Sequence, residues 1–160
     1  MKKIFICLFF VFAGLILSGC GSTKTYGYEL HSLAVGSQGT ALIKVYSYGR
    51  TQSKAIEQAK RDAVHGILFK GVPGGAGVSQ QPALVKPSEQ SANEAFFKKF
   101  FDSGDYLRFV NLSSDGTVGA QDRLKVGKMY KVGVAVSVQK DALRKYLEEN
   151  GIIKKLDYLF

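Results

Sequence analysis

The sequence predicts a single α+β domain: an antiparallel sheet of about four strands with two to three helices packed mainly on one face, in the order β-β-α-α-β-β-α. Two alternating runs, Thr40–Tyr48 and Val132–Val138, have the period of two expected of strands with one buried face. Between them, Ser53–Phe69 places its apolar residues at helical spacing. Glycine-bearing punctuation separates these runs, and no internal repeat or heptad pattern runs through the chain.

The elements follow in order. Tyr28–Val35 and Thr40–Tyr48 flank Gly36-Ser37-Gln38-Gly39 and read as a β-hairpin. In its second strand Ala41, Ile43, Val45 and Ser47 face one way, and Leu42, Lys44, Tyr46 and Tyr48 the other. Gly49-Arg50 breaks the strand, and Thr51 or Ser53 can cap the helix that follows. Ile56, Ala59, Ala63 and Ile67, with Val64 and Leu68, form its apolar stripe. Ala55, Ala59 and Ala63 recur every fourth residue, a smooth edge that lets a helix lie close on a sheet. Lys54, Gln58, Arg61 and Asp62 are expected on the wet side.

The stretch from Gly71 to Pro87 holds all 3 prolines of the chain and reads as a long loop. The whole Gly/Pro-rich loop is bounded at residues 71–92, and its candidate contact residues are Gly71, Pro73, Gly74, Gly75, Gly77, Pro82 and Pro87. Asn93–Asp102 is expected as a short helix whose Phe96, Phe97, Phe100 and Phe101 plug the core. Tyr106–Leu112, the turn Ser113-Ser114-Asp115-Gly116, and a long strand region Arg123–Val138 suggest a second hairpin. Asp141–Asn150, with Leu143 and Leu147 one turn apart, is an amphipathic helix closed by Gly151.

The N-terminus has the layout of a secretory signal: Lys2-Lys3, then the uncharged run Ile4–Leu17, then small residues ending at a cysteine. The run is about 14 residues, shorter than the roughly 20 that span a bilayer. Leu17-Ser18-Gly19-Cys20 resembles the lipobox of bacterial lipoproteins. The resemblance implies cleavage between Gly19 and Cys20 and lipidation of Cys20. Residues 1–19 are then the signal peptide, 20–27 a lipidated tether and 28–160 the domain. Gly21 in second place, where Asp would retain the protein at the inner membrane, implies the outer membrane with a periplasm-facing domain. The inner membrane and the cell surface stay open as alternatives.

Composition narrows the function. Loss of residues 1–19 lowers the formal net charge from +9 to about +7, because Lys2 and Lys3 go with them. Of the 2 cysteines, Cys7 leaves and Cys20 is lipidated, so the mature domain is expected without disulfides or thiolate metal sites. The basic residues are dispersed and not interleaved with aromatics, so no nucleic-acid partner is expected. Positive charge can favour anionic lipid or cell-wall polymers, although a solvated surface is the simpler reading.

Chemical motifs are few. His65 lies three residues after Asp62 on one helix, as an Asp–His orienting pair would, but no Gly-x-Ser-x-Gly elbow supplies a nucleophile. The 2 histidines and scattered carboxylates do not form a His-Glu-x-x-His zinc motif, and no metal or cofactor is expected. Asp102-Ser103-Gly104-Asp105 reads as a helix end and turn. Gly71–Gly77 lacks the Lys-Ser/Thr of a phosphate loop.

Thr40–Ile67, with its Ser53-Lys54-Ala55-Ile56-Glu57-Gln58-Ala59-Lys60-Arg61-Asp62-Ala63 helix, and the valine-rich Met129–Val138 strand together resemble small envelope lipoproteins related to the N-terminal domain of the flagellar assembly protein T. The resemblance covers about half of the mature chain and implies a non-catalytic module supporting a larger assembly. The expected function is a non-enzymatic binding or scaffolding subunit, held at the membrane by its lipid and contacting another envelope protein. One alternative is a small envelope hydrolase using Asp62, His65 or Asp102. Another is a periplasmic lipid- or ligand-binding protein. Oligomeric state is open.

Overall fold

A computed structural model describes residues 27–35, 39–75, 77–113 and 117–155. Among these the order is β1 (Glu29–Val35), β2 (Thr40–Gly49), α1 (Gln52–Phe69), α2 (Pro87–Ala92), α3 (Glu94–Asp102), β3 (Val110–Leu112), β4 (Arg123–Val126), β5 (Met129–Gln139) and α4 (Lys140–Glu149). Short 3₁₀ turns at Asp105–Phe109 and Ala120–Asp122 lead into β3 and β4. The expected α+β class stands. The described helices number 4 and the sheet has 5 strands.

All pairings are antiparallel, in the order β1-β2-β5-β3, with β4 also pairing β5. The 11-residue β5 is long enough to hold both short strands on one edge: β4 against its first residues and β3 against its last. The expected single strand region Arg123–Val138 is therefore a tight hairpin. Gly127, at φ 59°, and Lys128 turn β4 back into β5, a left-handed backbone that glycine tolerates.

The predicted alternation holds in space. Ala41, Ile43, Val45 and Ser47 of β2 are buried, as are Val132, Val134, Val136 and Val138 of β5. Across this face lies α1, capped by Thr51, whose hydroxyl accepts from the Lys54 N–H at 3.2 Å. Ala55, Ala59 and Ala63 are fully buried, so the helix backbone approaches the sheet with little side chain between. Phe97, Phe100 and Phe101 of α3 close the core at one side, with Leu143 and Leu147 of α4. There Phe100, Phe109 and Tyr146 meet with ring centroids 5.3 to 6.1 Å apart.

The wet-side assignment of Asp62 is wrong. Asp62 is 9% exposed and lies against the sheet, because Ser47 on the inner face of β2 donates to its Oδ2 at 2.6 Å. The loop assigned to residues 71–92 is also shorter than expected: Pro87 opens α2, where a missing N–H costs nothing, and Glu89 accepts from the Lys86 N–H at 2.8 Å.

Candidate functional site

The Gly/Pro segment after α1 is held by its own backbone. Val72 and Gln81 exchange two N–H···O bonds of 2.8 and 2.9 Å, and Gly75 and Val78 exchange two of 2.9 Å. Further along, the Leu84 and Val85 N–H groups donate to Ile67 and Leu68 at 3.1 and 3.0 Å, satisfying carbonyls that the end of α1 leaves free. Val72 and Val85 are each 2% exposed and fix the base in the core. From α4 the Lys140 ammonium donates to Gln81 Oε1 at 2.9 Å.

Gly71 makes the entry possible. Its φ is +75°, and a Cβ there would sit 2.5 Å from the Gln81 carbonyl. The tip is open, with Pro73, Gly74, Gly75 and Gly77 all exposed, and Pro82, just beyond the base, is exposed as well. Between this segment and the start of β1 runs a groove of about 350 Å³, whose walls include Tyr28, Leu30, Lys70, Gly71, Pro73 and Gln80. Three of the expected contact residues, Gly71, Pro73 and Gly74, line it. Gly75, Gly77 and Pro82 stand outside it, and Pro87 belongs to α2 instead.

The groove wall is electrostatically defined. The Tyr28 hydroxyl and His65 Nδ1 are hydrogen-bonded at 2.7 Å, and the Lys70 ammonium sits 3.9 Å from the Tyr28 ring centroid. Burial, then the nearby Asp62 charge, pushes the Tyr28 hydroxyl above its usual range, so it stays protonated. Burial, helped by the Lys70 charge, pulls His65 below its ordinary value against the attraction of Asp62, which favours the neutral ring beside Tyr28.

The candidate acid–base residues each have partners of their own. Asp62 is bound by Ser47 and by the Gln58 amide at 2.8 Å, and its pKa is raised chiefly by burial. His65 turns to Tyr28 and packs on Phe69 and Phe101. Asp102 lies on the surface with Lys98 and with Arg61 at 3.7 Å, and its pKa is lowered first by Lys98. His65 and Asp102 do share a shallow groove of about 270 Å³, which also includes Arg61 and Phe97. Asp105 accepts from Ser103 at 2.8 Å beside Gly104 at φ 84°, the expected turn.

Sequence reasoning missed the end of the β4–β5 hairpin. Every residue of β4 is exposed, with Leu124 at 61% and Val126 at 39%. Its signal was the apolar/basic alternation Arg123-Leu124-Lys125-Val126 ahead of Gly127-Lys128. Gly19 and Cys20 lie outside the described residues. Among the described residues no helix is long and apolar enough to cross a membrane, and no group of three or more His, Cys, Asp or Glu is placed to hold a metal. No family model, curated protein or solved structure matches the chain.

Proposed function

We propose that this chain is a lipid-anchored, periplasm-facing protein of the outer membrane that acts as a non-enzymatic binding subunit of an envelope complex. In this reading Cys20 bears the lipid, and the Gly71–Gln81 segment with its groove contacts the partner. One observation carries the reading: the segment is fixed at its base yet exposed at its tip, beside a groove. A contact surface held in place before binding loses little conformational freedom on association. The exposed glycine backbone at Gly74 lies open to an extended partner chain.

Two linked measurements test it. Wild type is expected in the detergent phase and Cys20→Ala in the aqueous phase. Chemical crosslinking in envelopes is then expected to give one defined adduct, which Pro73→Arg with Gln80→Arg abolishes without lowering the melting temperature. Aqueous partition of both forms would overturn the anchor, and an adduct indifferent to the double substitution would overturn the contact.

A further inference from the structure

The strand registers place the two ends of the sheet. Glu29 at the start of β1 pairs with Tyr46, and Tyr46 pairs with Gly133 of β5. Gly49 at the end of β2 pairs with Tyr130. The chain therefore enters β1 at the same end of the sheet from which the Gly127-Lys128 turn projects. In the sheet β1 is two strand spacings from β5, about 10 Å.

That hairpin end is two-sided. Residues paired directly across a ladder share a face, so Leu124 and Val126 point with Lys131 and Met129, while Arg123 and Lys125 point with Val132 and Tyr130. Beside it stands Arg50, which follows Gly49. Arg50, Lys125 and Lys128 are exposed and make no ion pair among the described residues. The acids nearby are already engaged: Asp122 with Lys44 and Glu29 with Lys131, each at 2.6 Å, and Glu57 with Lys54 at 2.8 Å. The result is an uncompensated cationic end carrying two exposed aliphatic side chains.

The tether adds a distance. Six residues separate Cys20 from Gly27, so seven Cα–Cα steps give a reach of at most about 25 Å. A domain of this length has a radius of gyration of about 14 Å, so such a tether keeps the entry end of the sheet close to the surface that holds the lipid. We infer that the β4–β5 hairpin end is a second membrane contact, in which Arg50, Arg123, Lys125 and Lys128 meet anionic lipid headgroups and Leu124 and Val126 enter the interfacial layer. The inference rests on the anchored reading above for its orientation, but the contact itself is testable without the lipid.

The test uses the unlipidated chain 20–160 bearing Cys20→Ser. It retains every packed element, because the buried core runs from Leu30 to Ile153. Co-sedimentation compares mixed phosphatidylglycerol–phosphatidylcholine vesicles with pure phosphatidylcholine vesicles. Binding is expected to the anionic vesicles, weakened by salt, and reduced about thirty-fold by Lys125→Gln with Lys128→Gln. Lys98→Gln with Lys99→Gln on α3 removes the same charge and is expected to leave binding within about three-fold of the parent, since screened charge away from the surface contributes little. Leu124→Ser with Val126→Ser is expected to weaken binding at high salt as well as low. Melting curves confirm that each variant is folded.

No binding to anionic vesicles would overturn the inference, as would equal losses from the two lysine pairs. A protein adduct from a photo-crosslinker at position 124 in envelopes, with vesicle binding untouched by the hairpin variants, would make this end a protein contact and also overturn it. Hairpin-dependent vesicle binding supports it even if wild type fails to partition into detergent. That result would remove the anchor and leave the headgroup contact standing.

Discussion

Two projections leave the core of this domain, and they are built from opposite materials. The Gly71–Gln81 segment is backbone-rich and has little side chain to hold it. It depends on paired bridges and two buried valines. The β4–β5 hairpin has a continuous ladder along β5, so its side chains are free to face outward as alternating aliphatic and cationic groups. A projection that lacks its own ladder must be fixed at its base; one that extends a sheet edge is fixed already. Substitutions at matching places should therefore have unequal effects.

The largest contrast is between two left-handed glycines. Gly71→Val adds positive-φ strain for a β-branched residue to a Cβ overlap with the Gln81 carbonyl, and is expected to cost about 3 kcal/mol or more. Gly127→Ala meets nothing within 4 Å and is expected to cost about 1 kcal/mol, the strain alone. Thermal denaturation gives both values. Hydrogen exchange at the Val72 and Gln81 amides should accelerate only in the Gly71 variant. Equal costs would erase the distinction between the projections.

Next comes the valine pair. Val72→Ala removes two buried methylene equivalents and leaves a cavity, for about 2 kcal/mol. Val126→Ala, at a residue 39% exposed, should stay within about 0.5 kcal/mol. Denaturant titration distinguishes them. A Val126 cost matching that of Val72 would mean the hairpin end packs against something in solution.

Much of the scaffold beneath these projections was legible because local periodicity and burial agree. Ala55, Ala59 and Ala63 recur every fourth residue and are all fully buried, and the outer and inner residues of β2 sort as the alternation predicts. What the sequence hid depends on partners far along the chain. Asp62 reads as a wet helix residue until Ser47, fifteen positions earlier, is seen beneath it. The loop at 71–92 reads as a plain loop because its bonds, Val72 to Gln81 and Leu84 to Ile67, join residues 9 and 17 positions apart across glycine and proline punctuation. The helix opening at Pro87 was signalled by Pro followed by Glu89, but was masked by the prolines before it. Of the candidate contact residues, Gly71, Pro73 and Gly74 line one groove, while the hairpin was passed over as plain strand.

Acidity offers a finer contrast, because the Tyr28 wall of the loop groove rests on His65. With its folded pKa below 6.5, His65 contributes stability above that pH that is lost as pH falls and the unfolded chain takes up the proton first. Asp62 works the other way: its raised pKa contributes stability present below 3.8 and lost as pH rises through the folded value. Tyr28, Lys70, Asp62 and Arg61 are the charged or titratable groups acting on His65. As pH falls from about 7 to about 5, the protection of the Val72 and Gln81 amides relative to intrinsic exchange should drop while that of the β4 amides holds, and His65→Gln should abolish that difference. An unchanged contrast in His65→Gln would detach the groove from His65.

The smallest expected effect is on stability at the hairpin: Lys125→Gln with Lys128→Gln should move the unfolding free energy by less than about 0.5 kcal/mol. The double variant keeps the fold and reports on contact alone.

The most direct test places one photo-crosslinker at Gln80 and another at Leu124 in the full chain and illuminates intact envelopes. The account predicts a single protein adduct from position 80 and lipid adducts without protein from position 124. Protein adducts from position 124 with none from position 80 would contradict it, reversing the faces assigned to partner and membrane.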